Sequence, residues 1–166
     1  DTVSLDNLQR QIIFRSADIG APKVERAQAA LAALNDNVAV EIENQRVTPA
    51  NAAYLLRGAD IVLDGTDDFE TRFAVNAAAR DLGVPLVSGA VGRWDGQVAV
   101  FDRDGPCYRC LVPDAPPEVG TCARVGVVGA LTGVIGSMMA LETIKLITQA
   151  GEPLIGRVLL LDGLTG

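Results

Sequence analysis

Apolar residues along this chain change their spacing repeatedly, and each change marks an expected element. Thr2 to Leu5 reads as a short extended piece, followed by a polar helical stretch through Phe14. Val24, Ala27, Ala30, Leu31 and Leu34 then recur at helical spacing behind Pro22, a favoured first-turn residue. A helix is therefore expected from about Ala21 until Asn35-Asp36-Asn37 ends it. Val38 to Ile42 alternates as a strand does, and Thr48-Pro49 opens another helix through Leu56. Ile61-Val62-Leu63, bounded by Asp60 and Asp64, has the pattern of a strand buried on both faces. A helix from about Glu70 to Leu82 follows, with Gly83 at its C-cap position. Pro85 to Ser88 and Val98 to Phe101 read as strands, with a turn at Trp94-Asp95-Gly96-Gln97 between them. A long helix from about Val127 to Thr148 and a strand from Val158 to Leu161 close the pattern.

Strands alternating with helices imply the α/β class, here a Rossmann-like, mostly parallel sheet with helices on both faces. No internal repeat, low-complexity tract or linker divides it, so residues 1–166 read as one domain. An apolar share of 49% and a mean hydropathy of +0.26 fit a well-buried globular core. With aromatics at only 4%, that core is built from Val, Leu, Ile and Ala. The net charge of −7 argues against nucleic acid as a partner, because binding by counterion release needs clustered Lys and Arg. Three cysteines are too few, and odd in number, for a secreted disulfide framework, and no basic-then-apolar leader opens the chain. The expected location is the cytoplasm. Val125 to Leu141 carries no charge and is barely long enough to span a bilayer, but its glycines and the closely following Glu142 and Lys145 suit a buried helix better than a membrane span.

The chain contains no histidine, so its chemistry must rest on carboxylates, cations, thiols or backbone dipoles. Asp64, Asp67 and Asp68 fall at the C-terminal end of an expected strand, where open α/β sheets bind ligands. A carboxylate there can hold Mg²⁺ beside phosphate oxygens, or Asp67 or Asp68 can simply cap the next helix. Arg10 and Lys23 are each unremarkable as surface cations. Taken with Asn7, Gln11 and Asp67, they suit a polyphosphate. Cys107-x-x-Cys110 has the spacing of half a tetrahedral zinc site and equally that of a reduced or redox pair. Gly126, Gly129, Gly133 and Gly136 lack the Lys-Ser or Lys-Thr of a phosphate loop, so small residues at helical spacing point to close packing against the sheet or a second subunit.

Leu5-Asp6-Asn7-Leu8-Gln9-Arg10-Gln11, Ile19-Gly20-Ala21-Pro22-Lys23-Val24 and Asp64-Gly65-Thr66-Asp67-Asp68-Phe69 resemble the adenylation domain of the ubiquitin-activating superfamily. Within it the chain is most similar to the MoeB/ThiF group of sulfur-carrier adenylyltransferases. Gly89-Ala90 with Gly96-Gln97, Pro106-Cys107-Tyr108-Arg109-Cys110-Leu111 and Gly126-Val127-Val128-Gly129 continue the match in order. The resemblance implies that Asn7, Arg10 and Lys23 contact ATP, that Gln11 shapes the same pocket, and that Asp67 holds Mg²⁺. It implies as substrate a ubiquitin-like sulfur carrier ending in Gly-Gly, serving molybdopterin or thiamine synthesis, whose terminal carboxylate becomes an acyl-adenylate. It further implies structural Zn²⁺ on Cys107 and Cys110 with a second Cys pair beyond Gly166, a homodimer, and for Cys122 either covalent attachment to the carrier or an ordinary loop thiol. The family usually has Asn where this chain has Asp68. By the same resemblance a strand, a Gly-rich nucleotide loop and a helix precede Asp1, so the domain reads as incomplete at both ends.

Two rival readings remain at this level. One is a relative that adenylates a peptide or another small acid, against which the Cys107–Cys110 pair weighs. The other is a carrier-docking or dimerisation scaffold without nucleotide turnover. A dinucleotide-dependent oxidoreductase has only the strand–helix alternation behind it, because no Gly-x-Gly-x-x-Gly follows a strand.

Overall fold

The computed structural model describes residues 1–115 and 126–166, which divide into two compact units, Asp1–Arg46 and Val47–Gly166.

In the first unit, Thr2 and Pro22 form an antiparallel bridge, with Val3 N donating to Ala21 O (2.9 Å) and Gly20 N to Val3 O (2.8 Å). Gly20 makes the turn between them at φ 89°, in the left-handed region that favours glycine. Between these strands of backbone, Leu5–Asn7 and Ser16–Asp18 are single 3₁₀ turns, shorter than the helical stretch expected there. Helix α1 spans Lys23–Leu34 and begins immediately after Pro22. Its end comes at Asn35, whose Oδ1 accepts the Asn37 N–H (3.0 Å).

The strand expected at Val38 to Ile42 does not form. Alternation makes a segment fit for a sheet, but only a ladder partner makes it a strand. Among the described residues none pairs with it; instead the Gln28 side chain donates from α1 to Val40 O (2.6 Å).

The second unit is built on a four-stranded sheet in the order β1 (Val62–Asp64), β2 (Leu86–Val91), β3 (Asp95–Phe101), β4 (Val158–Asp162). The β1–β2 pair is parallel, and β2–β3 and β3–β4 are antiparallel. The α/β, Rossmann-like architecture is as expected, but the described sheet is mixed rather than mostly parallel. The reason is local: Gly92 N donates to Asp95 O (2.7 Å), closing a tight hairpin that antiparallel strands alone permit.

Helices cover both faces. On one lies α3 (Phe69–Leu82) with the short α4 (Tyr108–Leu111), and α2 (Ala52–Leu55) packs against α3. Val75, Ala79 and Tyr108 meet Val62, Leu86, Ala99 and Phe101 there. On the other lies α5 (Gly129–Thr148), where Leu131, Ile135 and Met139 meet Val87, Val98 and Val100. Val87 and Val98 are fully buried, and each such side chain contributes about 1.5–3 kcal/mol. Two strand glycines set how near α5 comes. A Cβ on Gly96 would lie 2.6 Å from Ile135 Cδ1, and one on Gly89 2.2 Å from Met139 Sδ.

Two burial expectations change. Leu63 is 50% exposed, so β1 is buried on one face only. Helix α5 buries only its sheet-facing stripe, leaving Val134, Leu141, Ile144 and Ile147 exposed. By length and composition α5 is also apolar enough to cross a membrane. Gly133 and Gly136 have open space at their Cβ positions, so they do not serve packing against the sheet. The buried Glu142 ties α5 to the chain leading into β4, accepting Lys145 Nζ (2.6 Å) and Leu154 N (2.8 Å).

Candidate functional site

Of the polyphosphate candidates in the first unit, Asn7 closes the 3₁₀ turn, Arg10 and Gln11 follow it, and Lys23 opens α1. Asn7 is buried and its Oδ1 accepts the Ser4 N–H (3.2 Å), which fixes the turn. One turn further, Gln11 N donates to Asn7 O (2.8 Å), and Gln11 Oε1 is buried without a partner. Arg10 Nη1 donates to Asp6 O (2.9 Å). Lys23, the first residue of α1, pairs with Asp1 through Nζ and Oδ2 (2.8 Å). The Ser4 hydroxyl donates to Asp6, and it holds that carboxyl below the usual range; the Arg10 and Lys23 charges act in the same direction. Both cations thus lie within electrostatic reach of one carboxylate. Arg10 is held by the main-chain carbonyl of Asp6 and Lys23 by the Asp1 carboxylate. The sequence reading did not single out Asp1, which lies 22 residues from Lys23 in the chain, so no local pattern signals that pair.

In the second unit the carboxylates divide their work. Asp64, the last residue of β1, is buried, and its Oδ1 accepts both the Thr66 N–H (2.9 Å) and the Thr66 hydroxyl (2.7 Å). Asp68 is the N-cap of α3, accepting the Thr71 N–H (2.8 Å). Such a cap is worth about 1 kcal/mol, and Asn and Asp serve equally. The departure from the family pattern at Asp68 therefore falls where either residue does the same job. Asp67, between them, is exposed and takes neither duty. Among the described residues it meets no hydrogen-bond or ion-pair partner, and it stands on a turn fixed from both sides, at the carboxyl end of a strand. That arrangement fits a hard cation such as Mg²⁺, which takes one or two carboxylates and completes its shell with water and phosphate.

The same turn is held by a residue the sequence reading did not single out. Arg72 is 6% exposed, and its Nη2 donates to Thr66 O and to Gly89 O (3.2 Å). Its signal was there in the sequence. Arg72 and Asn76 break the apolar stripe Val75, Ala78 and Ala79 on the buried face of α3, and buried polar residues are informative.

Cys107 and Cys110 bracket the first turn of α4 with their sulfurs 3.6 Å apart. Two thiolates on one zinc ion at about 2.3 Å stand about 3.8 Å apart in a tetrahedron, so the pair fits one edge of such a site. Burial pushes the Cys107 thiol up, but hydrogen bonds from Cys110, Arg109 and Asn76 outweigh this and hold it below its usual range. Asn76 Oδ1 also accepts the buried Tyr108 N–H (2.8 Å), anchoring the turn to α3. Among the described residues no group of three or more metal-ligating side chains occurs, and the pair matches half of a four-ligand site. Cys122 lies outside the described residues.

Comparison with known proteins finds relatives over the whole chain. The ThiF family pattern matches residues 1–166. A sulfur carrier protein adenylyltransferase of Thermus thermophilus is 48% identical over 99% of this chain and 64% of its own length. The SAMP-activating enzyme E1 of Haloferax volcanii is 44% identical over 99% of this chain and 62% of its own. A probable adenylyltransferase/sulfurtransferase, MoeZ, of Mycobacterium tuberculosis is 43% identical over 99% of this chain and 44% of its own. The chain thus spans less than two thirds of each of these relatives. Among solved structures, E. coli MccB with MccA-N7isoASN superposes with a TM-score of 0.84 at 19% identity, over 98% of this chain and 51% of that one, a likeness of fold. With a family match running over residues 1–166 and a relative 48% identical over 99% of the chain, the chain belongs to the ThiF family.

Proposed function

We propose that this chain is the adenylation part of an enzyme that activates the C-terminal glycine of a ubiquitin-like sulfur carrier. The observation that carries the reading is the turn Asp64–Asp68, where Asp67 is the exposed one of three carboxylates at the carboxyl end of β1, Asp64 and Asp68 being hydrogen-bonded to Thr66 and Thr71. The names of the relatives support the carrier as substrate class and ATP as the adenylyl donor, and Arg10 and Lys23 are cations of the kind that meet phosphate oxygens.

A carrier's terminal carboxyl has an ordinary pKa near 3.5, so it is already ionised at neutral pH. It needs no general base, which suits a chain without histidine. One carboxylate oxygen attacks the α-phosphorus of ATP, the bond from that phosphorus to the bridging oxygen breaks, and pyrophosphate leaves. The residues' task is to neutralise charge and to hold an in-line geometry. Arg10 offers a planar fork to phosphate oxygens and Lys23 a point charge; each exchanges a carboxylate or carbonyl contact for the nucleotide. Asn7 and Gln11 hold the shape of their turn. Asp67 is the ligand for Mg²⁺, which when bound would neutralise charge on the phosphates.

Cys107 and Cys110 would hold a structural zinc ion with two ligands from elsewhere in the protein. The pathway served would be molybdopterin or thiamine synthesis, the location the cytoplasm, and the assembly a homodimer. Supporting the last is the exposed apolar face of α5, where Ala130, Gly133, Val134, Ser137, Met138 and Leu141 line an open hollow.

The deciding experiment is exchange of pyrophosphate into ATP by the full-length protein with Mg²⁺ and a purified carrier ending in Gly-Gly. Exchange that needs the carrier and disappears in Asp67→Ala is the expected result. Its absence in the wild-type protein would replace adenylation with the docking-scaffold reading. Exchange driven by a short peptide rather than a carrier would point to the peptide-adenylating branch. Zinc is tested separately: protein purified reduced should carry one ion per chain, and Cys107→Ser should lose it.

A further inference from the structure

Arg72 carries a charge that no carboxylate among the described residues balances. A guanidinium stays ionised at any ordinary pH, and buried cations are normally paired. Instead, this one is held by two backbone carbonyls, and its Nη1 is buried without any partner. The two carbonyls are telling. Thr66 O belongs to the turn that presents Asp67, and Gly89 O belongs to β2, the strand beside β1. The guanidinium also stands 5.9 Å from the centroid of the Tyr108 ring, in the range of a cation–π contact. A single planar group thus bridges the turn, the neighbouring strand and the cysteine-bearing segment.

For stability alone this is a poor arrangement. A buried donor left unsatisfied costs free energy, and an apolar side chain of similar volume would avoid it. What the guanidinium does accomplish is geometric. Asp64 fixes Thr66 from the strand side and Asp68 fixes the helix side, but both bonds are local to residues 64–71. Arg72 alone, among the described residues, ties Thr66 to a different strand. We infer that Arg72 is a positioning residue for the adenylation step, clasping the Asp64–Asp68 turn to β2 so that Asp67 keeps its place. This inference rests on the adenylation reading and assigns Arg72 no contact with substrate. Lys cannot substitute well, because a point-charge ammonium on a flexible stem does not reproduce the planar fork.

The test compares Arg72→Lys and the neutral Arg72→Gln with wild-type full-length protein by two readouts. The first is carrier-dependent pyrophosphate exchange per folded molecule. The kcat should fall roughly 10- to 100-fold in both variants, as misplacement of a reacting group by an ångström does, while KM for ATP stays within about threefold. The second is amide hydrogen exchange of peptides covering residues 62–71. It should accelerate severalfold in the variants, while peptides from β3 and β4 are unchanged. A residue that only stabilises the fold would lower the melting temperature and leave kcat per folded molecule intact, and that outcome overturns the inference. Unchanged protection of residues 62–71 overturns it as well, whatever happens to kcat. Failure of the adenylation reading looks different: the wild-type protein itself then shows no carrier-dependent exchange, which removes the catalytic half, and the protection data decide the clasp alone.

Discussion

Side by side in the chain, Asp67 and Asp68 bear the same carboxylate and do different work, because only Asp68 meets an open helix N-terminus. Their substitutions should separate accordingly. Asp68→Asn keeps an acceptor for Thr71 N and should leave both stability and exchange near wild type. Asp68→Ala should lose about 1 kcal/mol in denaturant unfolding, with exchange per folded molecule reduced only slightly. Asp67→Ala should do the reverse, unfolding at the wild-type midpoint while pyrophosphate exchange drops on the order of 100-fold or more. An Asp67→Ala protein that retains exchange would remove Asp67 from the mechanism. These two assignments show what a sequence can and cannot disclose. The cluster of acids was legible, and so were its position after a strand and its fitness for a cation. Which acid was spent on the cap was not, since either could occupy the N-cap until the backbone of residues 66–69 was fixed. Arg72 was hidden for a related reason. Its carbonyl partners carry no side-chain signature at all.

At the scale of elements, the helices packed on the sheet and its four strands were legible, whereas the stretch through Phe14 formed only 3₁₀ turns and the helix expected from Thr48 through Leu56 shrank to Ala52–Leu55. Helix α3 satisfies its backbone within itself, so its apolar spacing, Asp68 at the start and Gly83 at φ 70° at the end define it almost completely. A strand depends on a neighbour that the local pattern does not name. Val38 to Ile42 alternates properly and pairs with nothing described, whereas β3 extends beyond its apolar run because β2 and β4 bond it on both sides. The packing of α5 on the sheet follows from glycines that the sequence displayed without explaining. Gly96→Val puts branched carbon where Ile135 already sits, so it should cost about 1–3 kcal/mol. In thermal unfolding that is a fall of roughly 2–12 °C for a chain of this size. Adding Ile135→Ala to Gly96→Val should recover part of the loss, because the two changes share one space. Additive losses in the double variant would show that α5 and β3 are not in the contact described.

For the molecule as a whole, the unanswered face is the outer side of α5. Monomeric soluble proteins rarely expose a broad contiguous apolar patch, and here Val134, Leu141, Ile144 and Ile147 project from one helix while Gly133 and Gly136 leave the backbone approachable. Small residues beside exposed aliphatic ones are what a close helix contact between two copies requires, and a bilayer would accept the same surface. A charge discriminates. Leu141→Glu, at a position 54% exposed, should fold normally but make a two-copy interface bury an unpaired carboxylate. Sedimentation of the wild-type full-length protein without detergent should report a dimer, and the variant should run as a monomer with an unchanged melting transition at low concentration. A wild-type monomer would remove the dimer altogether, and a variant that still dimerises would place the interface elsewhere. Wild-type protein that partitions with membranes and is released by Leu141→Glu would give this face to lipid instead. The dimer outcome carries one further consequence. Because Gly89 and Gly96 seat α5 against the strands that adjoin the Arg72 clasp, Leu141→Glu should also lower exchange activity modestly if assembly holds α5 in place, and raising the protein concentration until the variant reassembles should recover it.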